Sequence, residues 1–346
     1  MRLMQTMAGA EVGGAEAFFV RLAIALLSFD ISQQLVIRRD SSRARALRDG
    51  GIAPVELPFG GRMDFRTRRA LQREIARFRP DVILSWMNRA AWATPAARGS
   101  YALIGRLGGY YDLKYYSHCD YLVGNTADIV DYVISEGFDR NRVVKLPNFV
   151  YPPINPPLSR VGLDTPLEAS LLLAMGRLHE NKAFDILLRA LPNIPDTWLW
   201  IAGEGPEAAT LQGLARDLGV ADRTRFLGWR DDSDALMRAA DLFICPSRHE
   251  PLGNVILEAW AAEKPVIATA ATGPAELLGA NERGVLVAVD QPAALSQAIV
   301  DLLADPDRAS RLAAAGYAAY EREFTEEAVT AQYLAFFERA RKECAA

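Results

Sequence analysis

Short apolar runs recur along the chain, separated by stretches in which apolar positions return every three or four residues. That alternation predicts strands followed by helices. In the first half the strand-like runs are 1–7, 34–38, 81–86, 101–107, 121–125 and 143–146, and helical spacing covers 15–27, 66–78 and 129–136. The pattern restarts past residue 170, with runs at 171–175, 198–202, 224–227, 242–245, 266–269 and 284–287. Leu171–Met175 is followed by Phe184, Leu187, Leu188 and Leu191 at helical spacing, and 254–263 is a run of good helix formers. Helices are also predicted over 312–320 and 326–341. Strands that alternate with helices predict parallel sheets, and two such series predict an α/β protein of two Rossmann-like domains.

The five prolines between Pro147 and Pro157 forbid helix and make a stiff, extended connector. The reading is therefore a first domain over 1–148, a second over 149–328, and a last helix over 329–346. A length of 346 residues, half of them hydrophobic, suits two cores better than one.

Candidate chemistry concentrates after two strands of the second half. Glu250 and Glu258, eight residues apart, bracket His-Glu-Pro-Leu-Gly-Asn-Val-Ile-Leu-Glu-Ala-Trp, ending at Trp260. Glu250 falls on the loop after a strand, where open α/β sheets bind ligands. Glu258 falls about one helical turn past Asn254, so both carboxylates can face one crevice. The first-turn amides of Asn254 and Val255 point there as well, and the helix dipole favours an anion. Upstream, Gly176-Arg177-Leu178-His179-Glu180-Asn181-Lys182 joins a strand to a helix and brings a guanidinium fork and an ammonium to the same crevice, a pairing suited to a diphosphate.

The Glu250 stretch resembles the Glu-x7-Glu signature of retaining glycosyltransferase family 4, a GT-B-fold family that includes sucrose-phosphate synthases and lipopolysaccharide glycosyltransferases. Pro251, Gly253, Leu257, Glu258 and Ala259 all fall where that pattern expects them. The resemblance implies a hexose moved from a nucleoside diphosphate sugar (UDP or GDP) to a glycan or glycolipid acceptor with retention and without a metal or other cofactor. It implies two Rossmann-like domains facing across a cleft, with the last helix crossing back to the first.

By the same resemblance, Glu250 holds the transferred sugar, Glu258 the ribose, and Arg177 and Lys182 the phosphates. Leu252, Gly253, Asn254, Val255, Gly176, Gly203, Trp229 and Arg230 complete the donor side. Gly13 and Gly14 match a Gly-Gly loop that lies over the donor phosphate and acceptor, and Trp86 and Asn88 are candidate acceptor contacts. The family's histidine is missing at the end of the strand through Ile104-Gly105-Arg106-Leu107, leaving His118 as the candidate for its role. Phe149 and Tyr151 replace the glycine and aspartate of the family's usual turn near Pro147. A UDP-sugar epimerase or hydrolase of the same fold, and a non-catalytic nucleotide-sugar-binding subunit, are the alternatives.

Other signals are discounted. Gly203-Glu204-Gly205-Pro206 imitates a dinucleotide fingerprint, but Pro206 alters the turn. Cys119, Cys245 and Cys344 have no metal or redox spacing and fit a reducing compartment. Residues 1–7 read as a first strand rather than a leader, and a cytoplasmic location is expected. The net charge of −4 hides an asymmetry: 21 basic against 15 acidic residues in the first 148 and 18 against 28 in the rest, so the halves carry +6 and −10. Twelve arginines crowd between Arg38 and Arg79, and Arg62, Arg66, Arg69 and Arg73 are spaced to share a helix face. This patch predicts an anionic membrane surface as partner. Nucleic acid is not expected, because no aromatic platform is interleaved.

Overall fold

The computed structural model describes residues 1–10, 13–61 and 64–345. The chain forms two compact units, Met1–Phe149 completed by the segment from Glu326 onward, and Val150–Thr325.

The first unit holds strands β1 (Arg2–Met7), β2 (Ser32–Arg38), β3 (Val55–Leu57), β4 (Val82–Trp86), β5 (Ala102–Leu107), β6 (Tyr121–Gly124) and β7 (Val143–Lys145). All pair in parallel in the order β3-β2-β1-β4-β5-β6-β7. Its helices are α1 (Gly14–Ala25), α2 (Ser41–Asp49), α3 (Phe65–Phe78), α4 (Met87–Ala93) and α5 (Ala127–Ser135). Successive β1 residues Leu3 and Met4 enter different apolar clusters, so both sheet faces are covered and the strands read as continuous apolar runs.

The second unit holds β8 (Ser170–Met175), β9 (Thr197–Ala202), β10 (Thr224–Phe226), β11 (Leu242–Cys245), β12 (Val266–Thr269) and β13 (Val285–Val287), parallel in the order β10-β9-β8-β11-β12-β13. Its helices are α6 (Phe184–Ala190), α7 (Ala208–Asp217), α8 (Ser233–Ala239), α9 (Asn254–Ala261), α10 (Thr272–Leu278), α11 (Pro292–Leu303) and α12 (Pro306–Glu323). Residues of α9 and α12 bury one face of this sheet and those of α6, α7 and α11 the other. The strand order reverses between β8 and β11, and the crevice at the carboxyl ends of such a strand pair is where open α/β sheets bind ligands.

The last helix, α13 (Glu326–Ala345), packs Val329, Tyr333, Phe336, Phe337 and Ala340 into the core of the first unit. Arg106 on β5 is 1% exposed, donates Nε–H to Tyr333 Oη at 2.8 Å, and lies over the rings of Trp86 and Phe18 at 4.5 and 5.0 Å. A buried guanidinium is tolerated there because hydrogen bonds and ring faces replace part of its hydration. Phe149, read from the sequence as opening the second domain, belongs with the first. Its ring meets Phe18 edge-on at 5.2 Å, and Val150 enters the core of the second unit.

Candidate functional site

The loops after β8, β9 and β10 are stitched by backbone hydrogen bonds, Gly176 N–H to Ala202 O at 3.0 Å, Leu178 N–H to Glu204 O at 2.9 Å and Gly203 N–H to Gly228 O at 2.7 Å. That stitching requires a glycine at 203. Its φ is +144°, and a Cβ would stand 1.9 Å from the Gly176 carbonyl oxygen. The glycine-led turn of the sequence is thus a close packing of two backbones beside Arg177.

Within this frame Lys182 and Glu250 meet. Lys182 Nζ donates to Glu250 Oε2, and Ser247 Oγ donates to the same oxygen at 3.4 Å. Glu250 is 9% exposed. Burial acts against the charge on Lys182, but the Glu250 carboxylate outweighs it, so the ammonium is held above its ordinary pKa. Burial raises the Cys245 thiol to about 11, leaving it protonated and unreactive near neutral pH. Arg177 is exposed and makes no hydrogen bond or ion pair among the described residues. Among the described residues it is a cation without an internal partner, in the same loop as a paired one.

Gly253 has φ +92° and caps α9, turning the Glu250 loop into the helix that carries Glu258 one turn beyond Asn254. Asn254, Val255 and Glu258 are half-buried. Leu252 is 6% exposed with its side chain in the core, so only its backbone is available to a ligand. Trp229 is 59% exposed, and its indole N–H is fixed on Asp231 at 2.9 Å. Arg230 forms a two-pronged bond with Asp232, and that hydrogen bonding chiefly raises its pKa. Its fork is already occupied.

Several expectations in the first unit need correction. Trp86 is not a sugar platform: it is fully buried between Phe18, Phe19 and Arg106, with its indole N–H on Gln5 Oε1 at 3.0 Å. His118, the candidate for the family histidine's role, directs Nε2 to the carbonyls of Ala91 and Thr94 at 3.1 and 2.9 Å and so ties down the end of α4. Asn88, in the first turn of α4, accepts from the Tyr116 hydroxyl at 3.2 Å. Gly13 caps α1 and Gly14 opens it. Glu16 folds its carboxylate back over this loop, accepting from Ala10 N–H at 2.8 Å, and a Cβ on Gly13 would lie 2.3 Å from it. Gly13 therefore admits the chain's own carboxylate at the positive end of α1.

The arginine patch is also narrower than its composition. Arg43 is 4% exposed and paired with Asp40 at 3.0 Å, Arg48 pairs with Glu56, and Arg68 stacks on Trp92 at 5.0 Å. Arg62 lies outside the described residues. Arg66, Arg69 and Arg73 remain exposed along α3, next to Phe65 at 67% exposure.

Three residues that the sequence did not single out support the Lys182–Glu250 pair. Ser247 bonds to Glu250, the Thr269 hydroxyl donates to the Ser247 carbonyl, and the Arg248 side chain binds four acceptors on Glu180, Asp185 and Asp290. Ser247 and Arg248 adjoin the recognised motif, but Thr269 and the acceptors of the Arg248 side chain lie tens of residues from them, so spacing gave no signal for those contacts.

Comparison with known proteins finds relatives along nearly the whole chain. Residues 12–152 match the family described as Glycosyltransferase Family 4, and residues 158–319 match Glycosyl transferases group 1. The lipopolysaccharide core biosynthesis glycosyltransferase LpsE of Rhizobium meliloti (strain 1021) is 36% identical over 330 residues, covering 93% of this chain and 95% of the relative. LpsD of the same organism is 36% identical over 346 residues, covering 98% of each chain. The fold superposes on the Anabaena protein HepE, crystallised with UDP and glucose, with a TM-score of 0.83 at 20% identity, covering 98% of this chain and 100% of that one. With full-length relatives, both halves matched and two parallel Rossmann-like sheets, the chain belongs to the GT-B glycosyltransferases, a family 4 domain followed by a group 1 domain.

Proposed function

We propose that the chain is a retaining glycosyltransferase that moves a hexose from a nucleoside diphosphate sugar to a hydroxyl of a glycan or glycolipid acceptor in lipopolysaccharide core synthesis. The observation that carries this reading is the Lys182–Glu250 pair at the strand-order reversal of the second unit, with Arg177 exposed in the same loop. The names of LpsE and LpsD support the pathway, and the UDP bound to HepE supports the donor class.

In the reaction the bond between the sugar's anomeric carbon and the phosphate oxygen breaks, and the acceptor oxygen bonds to that carbon from the same face. The acceptor's proton passes to the departing phosphate. Arg177, Lys182 and the first-turn amides of Asn254 and Val255 offset the charge that develops there, so no divalent ion is needed. Glu250 holds the transferred sugar and Glu258 the ribose hydroxyls. Gly176, Gly203 and Gly253 shape the donor loops, while Trp229 and the backbone at Arg230 lie beside the base. Gly13, Gly14 and Asn88 stand on the acceptor side.

The enzyme works in the cytoplasm, and the α3 face of Phe65, Arg66, Arg69 and Arg73 docks it on the anionic inner surface of the membrane, where a lipid-linked acceptor waits. Among the described residues, no helix is long and apolar enough to cross a membrane.

The test is nucleotide release from a panel of UDP- and GDP-sugars, with and without truncated lipopolysaccharide core, followed by NMR assignment of the product's anomeric configuration. Acceptor-dependent release, an unchanged anomeric configuration and full activity in EDTA are expected. Release that ignores the acceptor would favour the epimerase or hydrolase, and an inverted product would remove retention from the reading.

A further inference from the structure

Lys182 does not reach Glu250 through local structure alone. The turn that carries it, Glu180–Lys182, leads into Ala183, a fully buried alanine at φ +52°. An alanine in the left-handed region is strained and persists only where its surroundings over-determine it. Part of that constraint is local, since His179 Nδ1 accepts from Asn181 N–H at 3.2 Å. The rest comes from the Glu250 loop.

Arg248, two residues before Glu250, supplies it twice. Through its backbone, Arg248 N–H and the adjacent His249 N–H both donate to the Asn181 carbonyl, at 2.8 and 3.2 Å. Through its side chain, Nη1 donates to the Glu180 carbonyl at 2.8 Å and to Asp185 Oδ1 at 2.9 Å, Nη2 to Asp185 Oδ2 at 2.8 Å, and Nε to Asp290 Oδ1 at 2.5 Å. One planar guanidinium thus joins the Lys182 turn, the first turn of α6 and the turn after β13 to the Glu250 loop. Only arginine has donors in a fixed fork able to span these acceptors; a lysine ammonium is a point charge.

The side chains of Arg248, Asp185 and Asp290 are 30%, 33% and 50% exposed, and pairs so open to water contribute little stability each. Their value is therefore geometric. They fix where the Lys182 backbone sits, and a four-carbon side chain meets Glu250 only from there.

We propose that Arg248 is a positioning residue, which by tying the 180–182 turn to the Glu250 loop, Asp185 and Asp290 sets the Lys182–Glu250 pair in its working geometry. Its significance for rate rests on the transfer reaction proposed above, but the positioning itself does not.

The full-length variants Arg248→Met, Arg248→Lys and Asp185→Asn test it with two readouts. In the first, Lys182 is acylated with acetic anhydride and followed by peptide mass spectrometry, with Lys145 and Lys264 as internal references. Positioning predicts Lys182 labelling at least about threefold faster in all three variants, because an ammonium that loses its carboxylate is more often deprotonated. Unchanged labelling in folded Arg248→Met and Asp185→Asn overturns the proposal.

The second readout is steady-state transfer from the nucleoside diphosphate sugar that the wild type uses. Turnover should fall about 10- to 100-fold, the scale of a small misplacement of reacting groups, with donor KM moving far less. Arg248→Lys should not rescue it. In a Lys182→Ala background, Arg248→Met should reduce turnover no further, because the two act as one unit. A full additional loss there would give Arg248 an independent role and overturn the assignment. If the wild type transfers no sugar at all, the proposed function fails, while the labelling result still decides whether Arg248 positions Lys182.

Discussion

Lys182 is subject to two opposed effects. Burial favours the neutral amine, and the Glu250 carboxylate favours the ammonium; the direction of its pKa shows that the carboxylate prevails. A cation kept charged in a shielded site stabilises a developing phosphate charge more than the same cation in water. Replacing Lys182 or Arg177 by alanine should lower the transfer rate by roughly 100- to 1000-fold with the fold intact, measured by single-turnover kinetics. Near-normal rates in either soluble variant would remove that residue from the mechanism. The two glutamates should separate in steady-state kinetics. Glu258→Gln should chiefly raise donor KM, since a ribose contact acts in ground and transition states alike, and Glu250→Gln should chiefly lower kcat. The opposite pattern would exchange their roles.

Among elements, the loops after β8, β9 and β10 are held so closely that one methyl group is too many. Gly203→Ala would place a Cβ 1.9 Å from the Gly176 carbonyl oxygen at a φ that alanine avoids. A loss on the order of 3 kcal/mol or more is expected in denaturant unfolding, together with weaker donor binding. A stability equal to wild type would mean that the loops can part freely. The connector into the second unit is fastened to α8 by Asp234, whose carboxylate accepts from Ile154 N–H, Asn155 N–H and the Asn155 side chain. Burial works against its charge, but these bonds prevail and lower its pKa to about 2. The folded pKa lies below the usual value near 3.8, so this stabilisation is present above pH 4 and is lost as pH falls towards 2. Asp234→Asn should therefore lower Tm at pH 7 and match wild type near pH 2, as a thermal-unfolding series in pH would reveal. The strands of both units other than β3 were legible because they are largely apolar runs, whereas β3, three half-buried residues that include Glu56, was not. Helices such as α2, with Ala44 and Leu47 buried among arginines and serines, were not, because two apolar positions do not make a readable stripe.

Taken as a whole, the molecule carries opposite net charge in its two halves. An exposed face with Phe65, Arg66, Arg69 and Arg73 combines an apolar anchor with charge worth about 1 kcal/mol per basic residue near an anionic surface. Sedimentation with vesicles should rise with phosphatidylserine content and fall steeply with salt, because screening at 0.15 M limits such attraction to about 8 Å. Changing Arg66, Arg69 and Arg73 together to glutamine should abolish it. Binding that ignores lipid charge, or that survives this change, would leave a soluble acceptor as the better reading.

The sequence by itself determined the class of fold and the elements that carry the candidate groups. The alternation of apolar runs with helical periods specified parallel sheets, and the spacing of Gly176, Arg177 and Lys182 and of Glu250 and Glu258 put Arg177, Lys182 and Glu250 on loops following strands and Glu258 on the helix that follows. Those are local properties, carried by residues within one turn or strand of each other. The tertiary structure decided which groups meet. It brought Lys182 to Glu250 across 68 positions, recruited Arg248 with Asp185 and Asp290, and buried Trp86 under Arg106. It also set the His118 ring against the carbonyls that end α4. Contacts between distant positions depend on how the elements stack, and the identity of a tryptophan or histidine does not say whether its neighbours will be water or carbonyl groups.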